Sequence, residues 1–152
     1  MKQRIAKLLR LFGPAALALA LTVGSAQAQT TAVVNLKVGE TTITMPDTQE
    51  IPMWGYGLAG VATPIEIPGP TIVVPPDATS LQVNLTNELP TGTATSIIIP
   101  GLGMPVVQVG VSPEVVRNPD GRIRSFTHET TPGTTVAYKW ANVKPGTYLY
   151  HS

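Results

Sequence analysis

Imidazole chemistry in this 152-residue chain rests on two residues, because it has two histidines and no cysteine. His151 stands in Lys144-Pro145-Gly146-Thr147-Tyr148-Leu149-Tyr150-His151-Ser152, where a Pro-Gly turn launches an alternating strand. Strand alternation puts His151 and Leu149 on one face, Tyr148 and Tyr150 on the other. His151 is either a metal ligand or a terminal residue without a role. One imidazole cannot hold a metal tightly, since closed sites use three or four ligands. His128, in Ser125-Phe126-Thr127-His128-Glu129-Thr130, is either a second ligand or a rim histidine paired with Glu129 or a nearby backbone group. Met45, Met53 and Met104 could offer thioethers, but without a Met-x-x-Met cluster they are expected to fill the core. There is no Gly-rich phosphate loop and no Gly-x-Ser-x-Gly elbow. Asp47, Glu50 and Glu66 flank loops, with no pairing that makes an acid/base couple.

The start of the chain has a different character. Lys2, Arg4, Lys7 and Arg10 precede an apolar run from Pro14 to Gly24, and Ser25-Ala26-Gln27-Ala28 supplies an A-x-A exit. A basic head, a short apolar middle and small residues at the exit predict a secretory signal over residues 1–28. The run is shorter than the roughly 20 apolar residues of a membrane span, although an anchor kept in the mature protein is the alternative. No twin-arginine pair is present, which favours the general secretory route and a periplasmic or extracellular destination. Removing the leader leaves six Lys and Arg against nine Asp and Glu, a net charge near −3 rather than the +1 of the whole chain. Nothing in that balance calls for nucleic acid, or for a membrane after cleavage. An exported domain without disulfides must be held by its core.

The elements that would position the histidines are strands. Val34, Leu36 and Val38 alternate with Asn35 and Lys37, Gly39-Glu40 reads as an interruption, and Thr41 to Met45 as a second short strand. Pro52 to Gly57 reads as irregular, its aromatics covering an open end of a sheet. Prolines 64, 68, 70, 75 and 76 confine any strand between them to Thr71-Ile72-Val73-Val74. Leu81, Val83 and Leu85 form the cleanest inward alternation. The Asn84-Leu85-Thr86 sequon inside that strand is expected to be fortuitous. Ile97-Ile98-Ile99 suggests a strand buried on both faces. The apolar stretch from Val106 to Val111 is loop-prone. Asn118-Pro119-Asp120-Gly121 and Thr131-Pro132-Gly133 are turns, and Val136, Tyr138 and Trp140 alternate as another strand. No segment after residue 28 has a helical period. Short strands between Pro/Gly turns predict one all-β domain over residues 29–152, a Greek-key sandwich or barrel.

Four segments then carry a resemblance. Pro68-Gly69-Pro70-Thr71-Ile72, Leu81 to Asn87, Thr95-Ser96-Ile97 with Gly101-Leu102, and Pro145 to Ser152 follow in order. Together they resemble, over residues 65–152, the N-terminal plastocyanin-like (cupredoxin) domain of multicopper oxidases. The resemblance implies a Greek-key cupredoxin-like sandwich, here C-terminally incomplete and missing its final strand or strands. It also implies a parent oxidoreductase that takes electrons singly from a small-molecule or metal-ion reductant and reduces dioxygen. In that family the first domain supplies two His-x-His pairs to a three-copper cluster, and its partners are the C-terminal cupredoxin domains of the same protein. The strand period explains the spacing, since residues i and i+2 point to one face. His151 matches the first histidine of the second pair and is the metal residue the resemblance assigns. The first pair belongs just before Gly101-Leu102, where this chain has Ile98-Ile99-Pro100. Copper is therefore expected in the complete parent, and this chain alone is expected to be catalytically inert and marginally stable. The competing expectation is a non-catalytic exported β-sandwich that has lost its copper ligands and serves a structural or binding role.

Overall fold

A computed structural model describes residues 30–107 and 115–152. The signal sequence expected over residues 1–28 and part of the apolar stretch from Val106 to Val111 lie outside the described residues. The architecture is all-β: β1 (Thr30–Thr44), β2 (Glu50–Leu58), β3 (Ala78–Asn87), β4 (Val106–Val107), β5 (Val116–Arg117), β6 (Ile123–Ser125) and β7 (Thr135–Ala141). Five strands form one mixed sheet in the order β2-β1-β3-β7-β4, and β5-β6 is a separate hairpin. β1 and β3 are parallel and the other pairs antiparallel. A parallel neighbour needs a long crossover. Here β2 and the proline-rich segment after it fill that connection.

Alternation decides which face is buried. Leu36 and Val38, Leu81, Val83 and Leu85, and Val136, Tyr138 and Trp140 all point into one core. Each aliphatic side chain so buried contributes about 1.5–3 kcal/mol. The opposite face of the same strands is a polar zipper. Thr31 and Ser80 hydroxyls lie 2.7 Å apart, Asn84 donates to Asn35 at 2.8 Å, and Thr86 meets Thr135 at 2.8 Å. The Asn84 side chain of the sequon is thus tied into the ladder surface.

The core is closed from the other side by segments with little ladder of their own. Ile97 and Ile99 are buried, and Ile72, Val74, Leu102, Tyr148 and Tyr150 pack against the buried cluster. This layer is stitched by single bridges, Tyr56 to Glu66, Thr95 to Thr130 and Ile98 to His151. The strands expected at Thr71–Val74 and Ile97–Ile99 therefore do not form ladders. Pro70, Pro75 and Pro76 bracket the first and Pro100 ends the second, and none of these has the N–H a continuing ladder would use. Ile98 is only half-buried, so the isoleucine run is not covered on both faces.

Two expectations about the first hairpin are corrected. Gly39-Glu40 does not interrupt: β1 runs straight through, with Gly39 opposite Gly55. Residues 52–57 are regular strand and not an irregular cover. Pro52 is tolerated because β2 is an edge strand. The glycines belong to packing rather than to a break. Gly39, Gly55 and Gly57 share a face across which Ile65 lies. A Cβ at Gly57 would come within 2.5 Å of the Pro64 carbonyl oxygen, and one at Gly55 would overlap that of Glu66. Glycine opens the slot in which residues 64–66 dock along β2.

Candidate functional site

Asn87 ends β3 fully buried and clamps the approach to the site. Its amide donates to the carbonyls of Thr93 at 2.8 Å and Thr130 at 2.9 Å, and its Oδ1 accepts from the Leu89 N–H at 2.9 Å. Thr95 is thereby held against Thr130, and residues 96–102 run along the rim of the core. The terminal segment pairs with them at one position. Ile98 N–H donates to the His151 carbonyl at 2.9 Å, and His151 N–H donates back to Ile98 at 3.1 Å. Such a mutually bonded antiparallel pair places both side chains on one face of the ribbon.

Tyrosines fasten that segment. Tyr150 donates its hydroxyl to the Pro70 carbonyl at 2.8 Å, and its ring meets Tyr56 edge-on, with centroids 5.3 Å apart. Gly69 is where the chain must pass closest, since a Cβ there would lie 2.6 Å from the Tyr150 hydroxyl. Tyr148 lies over Gly101, which has a φ of +96° that favours glycine. Burial raises the pKa of Tyr56 far above the ordinary phenol value, with the neighbouring Tyr150 and Tyr138 adding to the shift. Burial also raises Tyr150. Both phenols are held neutral.

On the other face of the segment stand His151, exposed, and Leu149, 80% exposed. Exposed Pro100 and half-buried Ile98 are the neighbouring side chains contributed by residues 98–100. The alternation of Tyr148 and Tyr150 against Leu149 and His151 is as expected. The terminal strand, however, is extended chain with one bridge. His151 Nδ1 lies 2.9 Å from the Ser152 carbonyl oxygen.

His128 is half-buried, and its own carbonyl accepts the Tyr138 hydroxyl at 2.7 Å. Glu129 is bound by Arg124, whose Nε donates to Oε1 at 2.9 Å, and among the described residues the His128 ring bonds neither to Glu129 nor to a nearby backbone group, the two expected partners. The methionines also differ from expectation. Met45, Met53 and Met104 are 40%, 36% and 46% exposed and do not fill the core. Met45 and Met53 lie in the β1–β2 hairpin, beyond the point where β3 covers it.

Among the described residues no group of three or more His, Cys, Asp or Glu is placed to hold a metal ion. The rim offers one imidazole flanked by Ile98 and Pro100. That donor set does not fit a copper centre, which requires several nitrogen or sulfur ligands. Sequence reading misses Asn87 and Tyr56, the two residues that position the rim. Their only signals are an Asn at the end of an apolar alternation and a Tyr between two glycines. No protein-family model and no curated protein matches the chain.

Proposed function

We propose that this chain is a cupredoxin-like domain of an exported multicopper-oxidase-like protein, acting as a scaffold whose copper chemistry would need ligands from elsewhere in the parent. The observation that carries the reading is the Ile98–His151 pair. The resemblance requires the segment before Gly101-Leu102 and the terminal Tyr-Leu-Tyr-His segment to be neighbours, although they are far apart in sequence. It also requires positions 98 and 100 to face away from the core. Ile97 and Ile99 are buried while Ile98 is half-buried and Pro100 exposed, in keeping with that requirement. The second reading, a β-sandwich that has lost copper and serves binding or structure, is favoured by the side chains themselves. Aliphatic residues stand where imidazoles would be needed.

The test is to restore the pattern. In the variant carrying Ile98→His and Pro100→His, three imidazoles with His151 would border one face. It should bind Cu(II) at least about tenfold more tightly than the unaltered chain, since imidazole suits copper and each added nitrogen strengthens the site. Equilibrium dialysis and the Cu(II) electron paramagnetic spectrum would measure it. Equal, weak binding by both proteins, with the fold intact, would remove the basis of the family reading. Stoichiometric sub-micromolar binding by the unaltered chain would instead overturn the scaffold assignment.

A further inference from the structure

The β1–β3 ladder ends at Val38 and Asn87, while β1 and β2 continue together as a projecting hairpin. Its turn is closed by Met45 and Gln49, whose backbones bond at 2.8 Å. On one face Glu40 stands directly opposite Trp54 and Thr42 opposite Pro52. These residues, with Thr41 and Met53, line an open cleft of about 600 Å³. Trp54 is 59% exposed, an indole left in water on an edge strand. The tip of the hairpin carries acidic residues only, and Lys37 at its base lies on the face opposite Glu40. Glu40, Asp47 and Glu50 lie in the hairpin, and there is no Lys or Arg anywhere between residues 38 and 116. Among the described residues the Glu40 carboxylate forms no ion pair.

We infer that this cleft binds a small organic cation of the alkylammonium or quaternary ammonium class. The electron-rich face of an indole attracts such a cation, and Trp is the best of the aromatic side chains for it. Glu40, paired across the strands with Trp54, supplies the opposite charge at the same place. The methyl or methylene groups of the ligand would contact Pro52, which lies on the same face as Trp54. A neutral sugar ring would also stack on an exposed indole. The lining, however, contains no Asn, Gln or Arg to take paired hydroxyl groups, whereas it does contain an uncompensated carboxylate. The negative charge favours the cation.

The chain has two tryptophans, Trp54 and Trp140, and Trp140 is 2% exposed, so one reports the cleft and the other the fold. Tetramethylammonium chloride should be titrated against sodium chloride at matched ionic strength, following both indole N–H signals by NMR. The expected result is a saturable shift of Trp54 in the millimolar range with Trp140 stationary. Glu40→Gln should weaken binding about fivefold, and Trp54→Ala should abolish saturation transfer to the ligand methyl groups. The Trp140 signal reports that each variant remains folded. A response no different from sodium chloride overturns the proposal. So does binding that ignores Glu40→Gln, or glucose shifting Trp54 as strongly as the cation, which would make the cleft a neutral stacking platform.

Discussion

The two sides of this core are built differently. On one side β1, β3 and β7 run in unbroken register, Thr31 to Val38 beside Ser80 to Asn87 and Ser80 to Thr86 beside Ala141 to Thr135. On the other, residues 65–76, 95–102 and 147–152 touch their neighbours through isolated bridges. Side chains do there what backbone ladders do on the first side. Tyr150 reaches Pro70, Tyr56 reaches toward Ser96, and Tyr148 covers Gly101. In residues 65–76 and 95–102 the difference follows in part from proline. Where N–H groups are missing or turned away, a segment can still bury apolar area, but its position must be fixed by individual contacts. The sheet side should therefore fail through loss of packing, and the other side through loss of single polar anchors.

The largest effect should come from the ladder side. Leu85→Ala removes a fully buried side chain at the centre of the sheet and should cost about 3 kcal/mol by urea denaturation. A cost below about 1 kcal/mol would mean that β3 is not the centre of the core. Next is a pH effect that joins the two sides. Tyr138 donates to the His128 carbonyl and meets the Thr130 hydroxyl at 2.8 Å, and burial pushes its pKa up to about 12. Unfolded tyrosine ionises near 10, so the unfolded state releases this proton first as pH rises. Stability is full below about pH 10 and should fall through the window from about 10 to about 12, by roughly 2 kcal/mol. Tyr138→Phe should flatten part of that fall, as measured by denaturation midpoints at about pH 9 and about pH 11.5.

Smaller is Tyr150→Phe, which keeps the ring against Tyr56 but deletes the hydroxyl that holds Pro70. It should cost about 1 kcal/mol. It should also raise amide exchange at Ile98 and His151 more than at ladder positions such as Val83. If it costs as much as Leu85→Ala, the contrast between the two sides does not hold. The smallest change should be Thr86→Ala, which removes one exposed hydroxyl of the polar zipper. A shift within about 0.5 kcal/mol is expected, and more than that would give the outer face a structural weight its exposure does not suggest.

The inward sets of β3 and β7 are legible because Leu81, Val83 and Leu85, and Val136, Tyr138 and Trp140, repeat with the strand period. The turns at residues 118–121 and 131–133 are legible from their Pro and Gly. Gly121 and Gly133 have φ of +83° and +74°, in keeping with that. Gly39 misleads because a glycine in a strand marks a break or a close approach with equal force. Only the position of Ile65 distinguishes them. Of the rim, His151 and the sidedness of its segment can be read. Its fasteners, Tyr56 and Asn87, cannot, since their partners lie at Tyr150, Thr93 and Thr130.

The all-β class, the buried face of each alternating strand and the poverty of metal-ligating side chains all follow from the order of residues without any knowledge of the fold. Those are local or compositional properties, and a period of two expresses them in a few residues. Chain closure settles the rest: that Ile98 faces His151, that Trp54 and the methionines stand in water, and that Glu129 binds Arg124 and leaves His128. Each depends on where distant segments arrive when the chain closes around its core, and side-chain period carries no information about that.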